Sequence, residues 1–285
     1  MKNFLQKFLQ LDRRVIYVLV ALAVIIPILI PLNVRIYPTP EVKGVFDSIE
    51  NLPEGSRIML SVDFDPASMP ELYPMMKAVL RHVILKKHKL YILALWPLGT
   101  GLVDQVIAEL SKEYPDWTYG EDYVWLGYKP GTTLVIIGVG QSIRDTFGGK
   151  DYGNRPLDEM PIMRGVDKFK QMDYLVMLEA GSTGDYWIVY GTEVHKVRVG
   201  AGVTAVMAPQ YYPYLQAKQV NGIIGGLKGA AEYEGLVGKP GKASRAMDPQ
   251  STVHSLIFIA IILANIFVYW LRAIERKEKA GGMTK

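Results

Sequence analysis

The fold is decided by residues 57–95, which read RIMLSVDFDPASMPELYPMMKAVLRHVILKKHKLYILAL. Residues 57–63 are a compact apolar run that ends in a carboxylate, a pattern typical of a buried strand. Apolar residues then recur at steps of three and four over residues 72–84, which indicates an amphipathic helix. A second apolar run follows at residues 90–95. The stretch therefore predicts a strand–helix–strand unit, and we expect Val79 of its helix to be buried.

The same alternation continues toward the C-terminus. Helices are predicted over 102–110, in part of 156–171, and in two pieces over 211–236 that break near Gly222, Gly225 and Gly226; strands are predicted at 123–126, 133–137, 174–178, 186–190 and 203–207. We expect Ile137, in one of these strands, to be buried. Continuous apolar strands separated by amphipathic helices are typical of a parallel sheet that is covered on both faces. The predicted fold is a three-layer, doubly wound (Rossmann-like) α/β domain with a mostly parallel sheet.

Two uncharged apolar runs lie on either side of this domain. Residues 15–34 are 20 residues without a charge, and residues 249–271 are 23 more. A bilayer core takes about 20 apolar residues in helical form, since each residue rises about 1.5 Å across roughly 30 Å of hydrocarbon. Both runs are therefore predicted to be transmembrane helices. We interpret the first as an uncleaved anchor, because it is longer than the roughly 7–15 residues of a signal-peptide core.

These assignments divide the chain into six segments. They are a cytoplasmic tail (1–14), transmembrane helix 1 (15–34), a stalk (35–55), an extracytoplasmic α/β domain (56–248), transmembrane helix 2 (249–271) and a second cytoplasmic tail (272–285). The orientation follows from the basic residues near each span, because nine lie on the two tails and five on the loop side. The sequence predicts a two-pass protein of the cell membrane with both termini in the cytoplasm.

Charge and cysteine content exclude several classes of function. The net charge of the chain is +4, and the two tails carry +6, so the segment between the spans carries about −2. The basic character of the chain therefore indicates contact with anionic lipid rather than with nucleic acid. The chain has no cysteine, which excludes disulfides, thiolate metal sites and a cysteine nucleophile.

Two aspartates follow the first predicted strand, where ligands of open parallel sheets bind. Asp63 and Asp65 would suit a Mg²⁺ site or shared acid–base catalysis. Residues 58–65 resemble the first motif of haloacid-dehalogenase-type phosphatases, whose paired aspartates act as nucleophile and acid. The chain departs from that motif at Ala67, where those enzymes usually carry Thr or Val. The alternative interpretation is an acidic turn whose side chains cap the helix that begins near Pro70.

Two pairs of glycines are weak candidates for ligand binding. Gly99 and Gly101 follow a predicted strand and open a predicted helix, and Gly138 and Gly140 follow the predicted strand at 133–137. A glycine turn before a helix can bind phosphate. Neither pair extends to a dinucleotide-binding or Walker motif, and glycine is also common at tight turns because it tolerates positive φ. No cofactor is predicted.

The four histidines do not form a metal-binding pattern. No His-x-x-x-His or His-Glu pair is present, so no metal site is predicted. His82 and His88 belong to a basic stretch over residues 81–89, which we interpret as a solvated helix end whose charge complements the helix dipole.

The sequence favours a non-enzymatic accessory or scaffold subunit that presents its α/β domain for protein–protein interaction in a membrane complex. Ala260 and Ala264 form a small-xxx-small pair on the second span, and Asn265 is polar at mid-membrane depth. Such groups favour helix packing. The expected partners are membrane lipid and other membrane-protein subunits or a second copy of the chain, and no nucleic acid. The alternative function is a membrane-tethered hydrolase or ligand-binding domain that uses Asp63 and Asp65.

Overall fold

A computed structural model of the chain describes residues 2–10, 12–30, 32 and 36–282. The chain forms two compact units, one made of the residues before 36 together with those from 245 onward, and the other of Ile36–Ser244. The strands, all in the second unit, are β1 (Arg57–Asp63), β2 (Lys89–Ala94), β3 (Tyr123–Tyr128), β4 (Tyr174–Glu179), β5 (Arg198–Val203) and β6 (Gly222–Gly225).

The described helices lie before, between and after these strands. They are α1 (Lys2–Leu9), α2 (Arg13–Leu29), α3 (Pro40–Glu50), α4 (Met69–Leu85), α5 (Thr100–Glu113), α6 (Thr132–Gln141), α7 (Ile143–Phe147), α8 (Thr183–Tyr186), α9 (Glu193–His195), α10 (Ala208–Gln216), α11 (Gly226–Leu236) and α12 (Lys242–Gly282). A π-helical turn, Trp187–Thr192, joins α8 to α9. We call the continuous segment of these three elements helix 183–195.

The six strands form one parallel sheet in the order β3-β2-β1-β4-β5-β6. This is the strand order of a doubly wound, Rossmann-like α/β fold. The chain starts in the middle of the sheet, builds outward to β3, and then returns to place β4 beside β1. The α/β prediction is therefore confirmed.

Helices cover both faces of the sheet. On one face Gly202 of β5 leaves room for α4, because a Cβ at this position would lie 2.5 Å from the Met75 sulfur. On the other face the fully buried Trp187 packs in a core with Leu175 and Met177 of β4. Val79 is fully buried, as predicted.

The segment predicted as a stalk is part of the domain. Within residues 35–55, α3 buries Val42, Val45 and Ile49. A Cβ on Gly44 would clash with the backbone carbonyl of Asn221, so this glycine lets α3 lie directly on the start of β6. The stalk prediction is wrong because the proline and glycine that suggested a linker serve a helix start and a close backbone contact.

Two predicted strands are helical. Residues 133–137 lie in α6, and residues 186–190 lie in helix 183–195. Both runs are apolar and rich in β-branched or aromatic residues, which favour strands only where a pleated surface is available. Here Gly131, with φ of 89°, turns the chain into α6 directly after β3. Ile137 is 42% exposed, so its predicted burial is wrong.

The remaining differences are shifts along the chain. The strand predicted at 203–207 lies earlier, at β5, and the glycine-rich break predicted inside 211–236 is the strand β6 between α10 and α11. A four-residue strand with two glycines carries too few side chains to show an alternation. Residues 156–171 contain three short 3₁₀ turns, Leu157–Glu159, Pro161–Met163 and Phe169–Gln171.

One helix of the described chain is long and apolar enough to cross a membrane, α12 over Lys242–Arg276, and none of the residues in its most apolar window is buried. The first predicted span contains α2, whose 17 residues extend only about 26 Å and include Pro27 near the end. This is shorter than the roughly 30 Å of a bilayer core. The structure thus supports one candidate span where two were predicted. Residues 31, 33 and 34 of the predicted first span, and the chain ends at 1 and 283–285, lie outside the described residues.

Contacts within the first unit join its N-terminal and C-terminal parts. The ring of Phe8 in α1 meets the ring of Phe267 in α12 edge to face, with centroids 4.8 Å apart. The backbone N–H of Leu32 donates to Asp248 Oδ2 at 2.9 Å.

Two glutamates of α11 accept hydrogen bonds from the segments through which the chain enters and leaves the α/β domain. Glu232 Oε2 accepts hydrogen bonds from the backbone N–H and the hydroxyl of Thr39, at 2.8 and 2.7 Å. Glu234 accepts the N–H groups of Gly241, Ala243 and Ser244 at the start of α12. Both glutamates are 2% exposed. Their acceptors satisfy N–H groups that a helix start leaves unpaired.

Candidate functional site

The strand order reverses between β1 and β4, and at this point two carboxyl groups end neighbouring strands. Asp63 of β1 pairs in register with Glu179 of β4. Neighbouring residues of parallel strands point to the same face of the sheet, so the two side chains lie next to each other. This is the position at which doubly wound folds usually bind ligands.

Asp63 is completely buried and fully hydrogen-bonded. Its Oδ2 accepts the hydroxyl of Ser61 at 2.6 Å, and its Oδ1 accepts the backbone N–H of Leu95 at 2.6 Å. The Ser61 oxygen in turn accepts the indole N–H of Trp187 at 2.9 Å. A chain of hydrogen bonds therefore connects the core on one face of the sheet to the end of β1.

The burial of Asp63 changes its acidity. Loss of solvent raises the pKa of Asp63 to about 7, although the hydrogen bonds from Ser61 and Leu95 favour the ionised form and oppose the shift. The group therefore changes its charge near neutral pH.

Glu179 is also completely buried, but only one of its oxygens is paired. Its Oε2 accepts the backbone N–H of Gly184, while Oε1 has no hydrogen-bond partner among the described residues. The hydroxyl of Tyr211 also has no hydrogen-bond partner among the residues that the structure describes. A Cβ on Gly184 would clash with both oxygens, so these two unpaired atoms lie close together beside this glycine.

Burial is the main cause that raises the pKa of Glu179 to about 9, and the negative charge of Asp63 adds to it. At neutral pH Glu179 is therefore protonated. Two carboxyl groups this close in a dry environment share at most one negative charge, and the proton resides on Glu179.

The loops that follow β2 and β4 meet beside this pair. The ring of Trp96, which follows β2, lies against the loop after β4, since a Cβ on Gly181 would come within 2.5 Å of it. The backbone N–H of Ala180 donates to the carbonyl of Asp63 at 3.1 Å. The crevice at the strand-order reversal is thus filled by side chains of the protein itself.

The structure does not bring Asp63 and Asp65 together as a pair. Asp65 lies at the rim, partly exposed, and its Oδ1 accepts the backbone N–H of Ser68 at 3.1 Å, directly before α4. Asp65 therefore forms the acidic turn of the alternative interpretation, but it does not cap α4, because its bond goes to the residue before the helix and no described side chain caps the helix start. Asp63 faces Glu179 instead, so the arrangement offers neither a shared metal site nor the nucleophile-and-acid pair of the phosphatase motif.

Three of the four candidate glycines, Gly99, Gly138 and Gly140, serve packing. Gly99 lies in the turn that opens α5, where a Cβ would come 2.9 Å from the carbonyl of Val62, and Gly101 is exposed beside it with open space around its Cα. Gly138 and Gly140 do not follow a strand, because they lie inside α6. A Cβ on Gly138 would lie 2.6 Å from the Thr146 hydroxyl, and one on Gly140 would clash with the ring of His195. These two glycines let α6 approach its neighbours.

His82 and His88 are buried, with 2% and 1% exposure, so their assignment to a solvated helix end is wrong. His82 is hydrogen-bonded to Tyr233 through Nδ1 at 2.8 Å and to Glu50 through Nε2 at 2.9 Å. It thereby links α4 to α11 and α3. The described residues contain no group of three histidine or acidic side chains that could hold a metal ion.

A second candidate is an exposed apolar surface beyond β3 and β4. Here α6 packs against helix 183–195, and a Cβ on Gly191 would lie 3.5 Å from Ile136. We call the outward side of this helix pair the α6 surface; its exposed side chains are Leu134, Ile137, Tyr186, Val189, Tyr190 and Val194. Leu134 is 77% exposed, and a groove of about 570 Å³ runs beside it between Lys129 and Thr146.

The three residues proposed for helix packing lie on α12. Ala264 is half-buried, whereas Ala260 and Asn265 are exposed. The side-chain amide of Asn265 donates to the carbonyl of Ile261 at 2.8 Å, so this donor is satisfied inside its own helix.

Reasoning from the sequence missed Glu179, Trp96 and Tyr211. Glu179 directly follows the predicted strand at 174–178. Asp63 was selected because it lies at the end of a predicted strand, and the same criterion would have selected Glu179. The other two carry no comparable signal, because their places beside Gly181 and Gly184 depend on how the loops fold. Comparison of the chain with models of protein families, with curated proteins and with solved structures finds no match.

Proposed function

We propose that the chain is a two-pass, membrane-anchored accessory or scaffold subunit that presents its α/β domain outside the membrane to other membrane-protein subunits. The observation that carries this proposal is the α6 surface. Helix α6 has no charged residue. Its outward face exposes the apolar side chains of Leu134 and Ile137. Surface helices of soluble domains normally carry charged residues on the exposed side, and exposed apolar clusters mark interaction sites.

The composition of the α6 surface suits a protein partner. Tyr186 and Tyr190 stack with ring centroids 6.3 Å apart, beside the exposed Val189. Tyrosine combines a large apolar area with a polar tip and is enriched at protein interfaces. The filled crevice at Asp63 and Glu179 also favours a binding module over an enzyme that acts at this edge.

The second membrane crossing is part of the proposal, and it uses residues 15–34. Two features support it. Glu232 and Glu234 of α11 accept hydrogen bonds from Thr39, where the chain enters the domain, and from Gly241, where it leaves, so both segments are bound to the same helix. The basic residues are concentrated on the two tails, which favours a cytoplasmic position for both termini. Ala260 and Asn265 are exposed on α12 and Ala264 is half-buried, and these residues would contact a partner helix in the bilayer.

The partner surface is tested by Leu134→Glu, with Leu85→Glu as the matched control, since Leu85 is also an exposed leucine on a helix but lies at the end of α4. Each variant of the full chain is extracted in mild detergent and examined by blue-native electrophoresis and mass spectrometry of what co-migrates. We expect Leu134→Glu to lose its partner and Leu85→Glu to retain it. Asn265→Leu in the same experiment separates a contact inside the membrane from one on the domain. Unchanged migration of Leu134→Glu would contradict the proposal.

The topology is tested on a chain that has no natural cysteine. Single cysteines replace Lys2 and Lys150, and intact cells are treated with a membrane-impermeant thiol reagent. We expect labelling at position 150 and protection at position 2. Labelling at both positions would show that the chain crosses the membrane only once.

A further inference from the structure

Opposite charges lie at the two ends of the α6 surface. Lys129 lies three residues before the start of α6, and Asp145 lies four residues after its end. Both line the groove beside Leu134, and of the described residues that line this groove only these two are charged. Neither side chain forms an ion pair or a hydrogen bond within the part of the chain that the structure describes. The α6 surface therefore has an unpaired cation at one end and an unpaired anion at the other.

The acidic residues of helix 183–195, which forms the other half of the α6 surface, already have partners. Glu193 forms an ion pair with Lys196, and Asp185 accepts the hydroxyl of Tyr214 at 3.0 Å. The charges that remain available to a second molecule on this surface are thus those of Lys129 and Asp145.

Helix α6 begins without a capping side chain. Its N-cap residue is Gly131, and no side chain there accepts a hydrogen bond from the first turn. A helix favours negative charge at its N-terminus and positive charge at its C-terminus. Lys129 and Asp145 lie at the opposite ends from these. A carboxylate brought to the start of α6 by another molecule is therefore attracted both by the helix N-terminus and by Lys129.

A second copy of the chain supplies this carboxylate if the two α6 helices pack antiparallel. Ile137 lies eight residues after Lys129 and eight residues before Asp145. A two-fold axis near Ile137 therefore places Lys129 of each copy opposite Asp145 of the other. Leu134 of one copy then faces Gly138 and the end of α6 in the other, which line the same groove. A parallel arrangement would instead bring like charges together at both ends.

We propose that the partner on the α6 surface is a second copy of the chain, packed through antiparallel α6 helices about a two-fold axis near Ile137. The inference rests on the proposed function, because it names the molecule that covers the surface proposed there. A two-fold dimer uses one self-complementary patch on both subunits and is the commonest oligomer of soluble proteins. The exposed apolar side chains of α6 supply the contact, and the two Lys129–Asp145 pairs determine its register and direction.

The first test is cysteine cross-linking of the full chain in mild detergent, which is direct because the chain has no natural cysteine. Ile137→Cys places one thiol near the two-fold axis in each copy, and a short bismaleimide joins the two. Leu85→Cys is the matched control, since it places a thiol at an exposed position on another helix. We expect a covalent species of twice the chain mass for Ile137→Cys, and about tenfold less of it for Leu85→Cys.

The second test is charge reversal. Lys129→Asp and Asp145→Lys are made singly and together, and the dissociation of the dimer is followed on dilution at low ionic strength. Each single reversal puts like charges together at both ends of the contact, so we expect the dissociation constant to rise about tenfold. The chain that carries both reversals should dimerise as wild type does, because it only exchanges the signs of the two charges.

The outcomes separate this inference from the proposed function. Equal cross-linking of Ile137→Cys and Leu85→Cys, or failure of the second reversal to restore the dimer, would overturn the inference. If Leu134→Glu then still loses a co-migrating protein of another sequence, the α6 surface binds a different subunit and the proposed function stands. If Leu134→Glu changes nothing, both fail, which is also the result expected of a surface covered only by lipid.

Discussion

The carboxyl and the amino edges of the sheet bury polar side chains in different ways. At the carboxyl edge, Asp63 and Glu179 lie side by side under loops that leave both without contact with solvent. Hydrogen bonds from Ser61, Leu95 and Gly184 satisfy three of their four oxygens. At the amino edge a cavity of about 770 Å³ is bounded by the segments that lead into β1, β2 and β3, and two residues that line it, His88 and Trp117, each bury a nitrogen that has no partner within the described chain.

The position of a crevice and its accessibility are determined by different features of the structure. Strand order determines where neighbouring loops diverge and a crevice can form. The side chains at the loop starts determine whether that crevice is open. In this protein Trp96 lies against Gly181, and the N–H of Ala180 is bonded to the end of β1, so the usual ligand position is closed. We therefore expect substitutions at the carboxyl edge to alter stability.

The largest expected effect is the dependence of stability on pH through Glu179. Its pKa is raised from 4.5 to about 9 in the folded protein, so the folded state holds a proton that the unfolded chain releases. The contribution to stability is complete below pH 4.5 and is lost as the pH rises toward 9. At 1.36 kcal/mol per pKa unit, the loss is on the order of 6 kcal/mol. Asp63, whose pKa is raised from 3.8 to about 7, changes stability in the same direction.

Glu179→Gln mimics the protonated acid and should remove the Glu179 part of this dependence. We expect urea unfolding to give similar stability for the variant and wild type at pH 5, and a clearly more stable variant at pH 9. If wild type loses no stability between these pH values, Glu179 is ionised in the folded protein and the carboxyl edge is open to water.

A smaller loss is expected from Asp63→Ala. The substitution leaves the buried N–H of Leu95 and the hydroxyl of Ser61 without their acceptor, at a cost of about 1–3 kcal/mol for each unpaired group. Asp63→Asn keeps an acceptor oxygen for Leu95 and should cost less. Denaturant unfolding at pH 7 measures both. A cost below about 1 kcal/mol for Asp63→Ala would mean that this edge relaxes around the change and is not a closed network.

The sequence predicted the first strand–helix–strand unit correctly because the signals for these elements are local. The β1–α4–β2 unit lies where residues 57–95 predicted it, because apolar runs and a helical stripe follow one another there without a special turn. The turn formed by Asp65 also depends only on Ser68, three positions away. Parallel pairing of these strands follows, since a helix connects each pair.

The sequence could not predict features that depend on distant contacts. The 133–137 run has strand-like composition, but Gly131 and the packing of Gly138 and Gly140 against Thr146 and His195 make it a helix. The burial of His88 depends on the Ile49 carbonyl, which α3 brings from 39 residues away. Reasoning from the sequence took α3 for a stalk and so had no partner for that histidine. The amino-edge cavity was missed for the same reason, because its walls come from three separate connections.

The smallest expected effect is that of Asp65→Asn, which separates the rim of the carboxyl edge from its interior. Asparagine keeps the oxygen that accepts the Ser68 N–H, so we expect a change in stability of less than about 0.5 kcal/mol. Asp65→Ala removes that acceptor, while the Ser68 N–H keeps its bond to the backbone carbonyl at position 65, so the cost should be about 0.5–1.5 kcal/mol. Urea unfolding of both variants measures the difference, and blue-native electrophoresis should show unchanged assembly because Asp65 lies outside the α6 surface. Equal destabilisation by the two substitutions would mean that the charge of Asp65, rather than its hydrogen bond, matters at the rim, and the resemblance of this segment to a phosphatase motif would then regain weight.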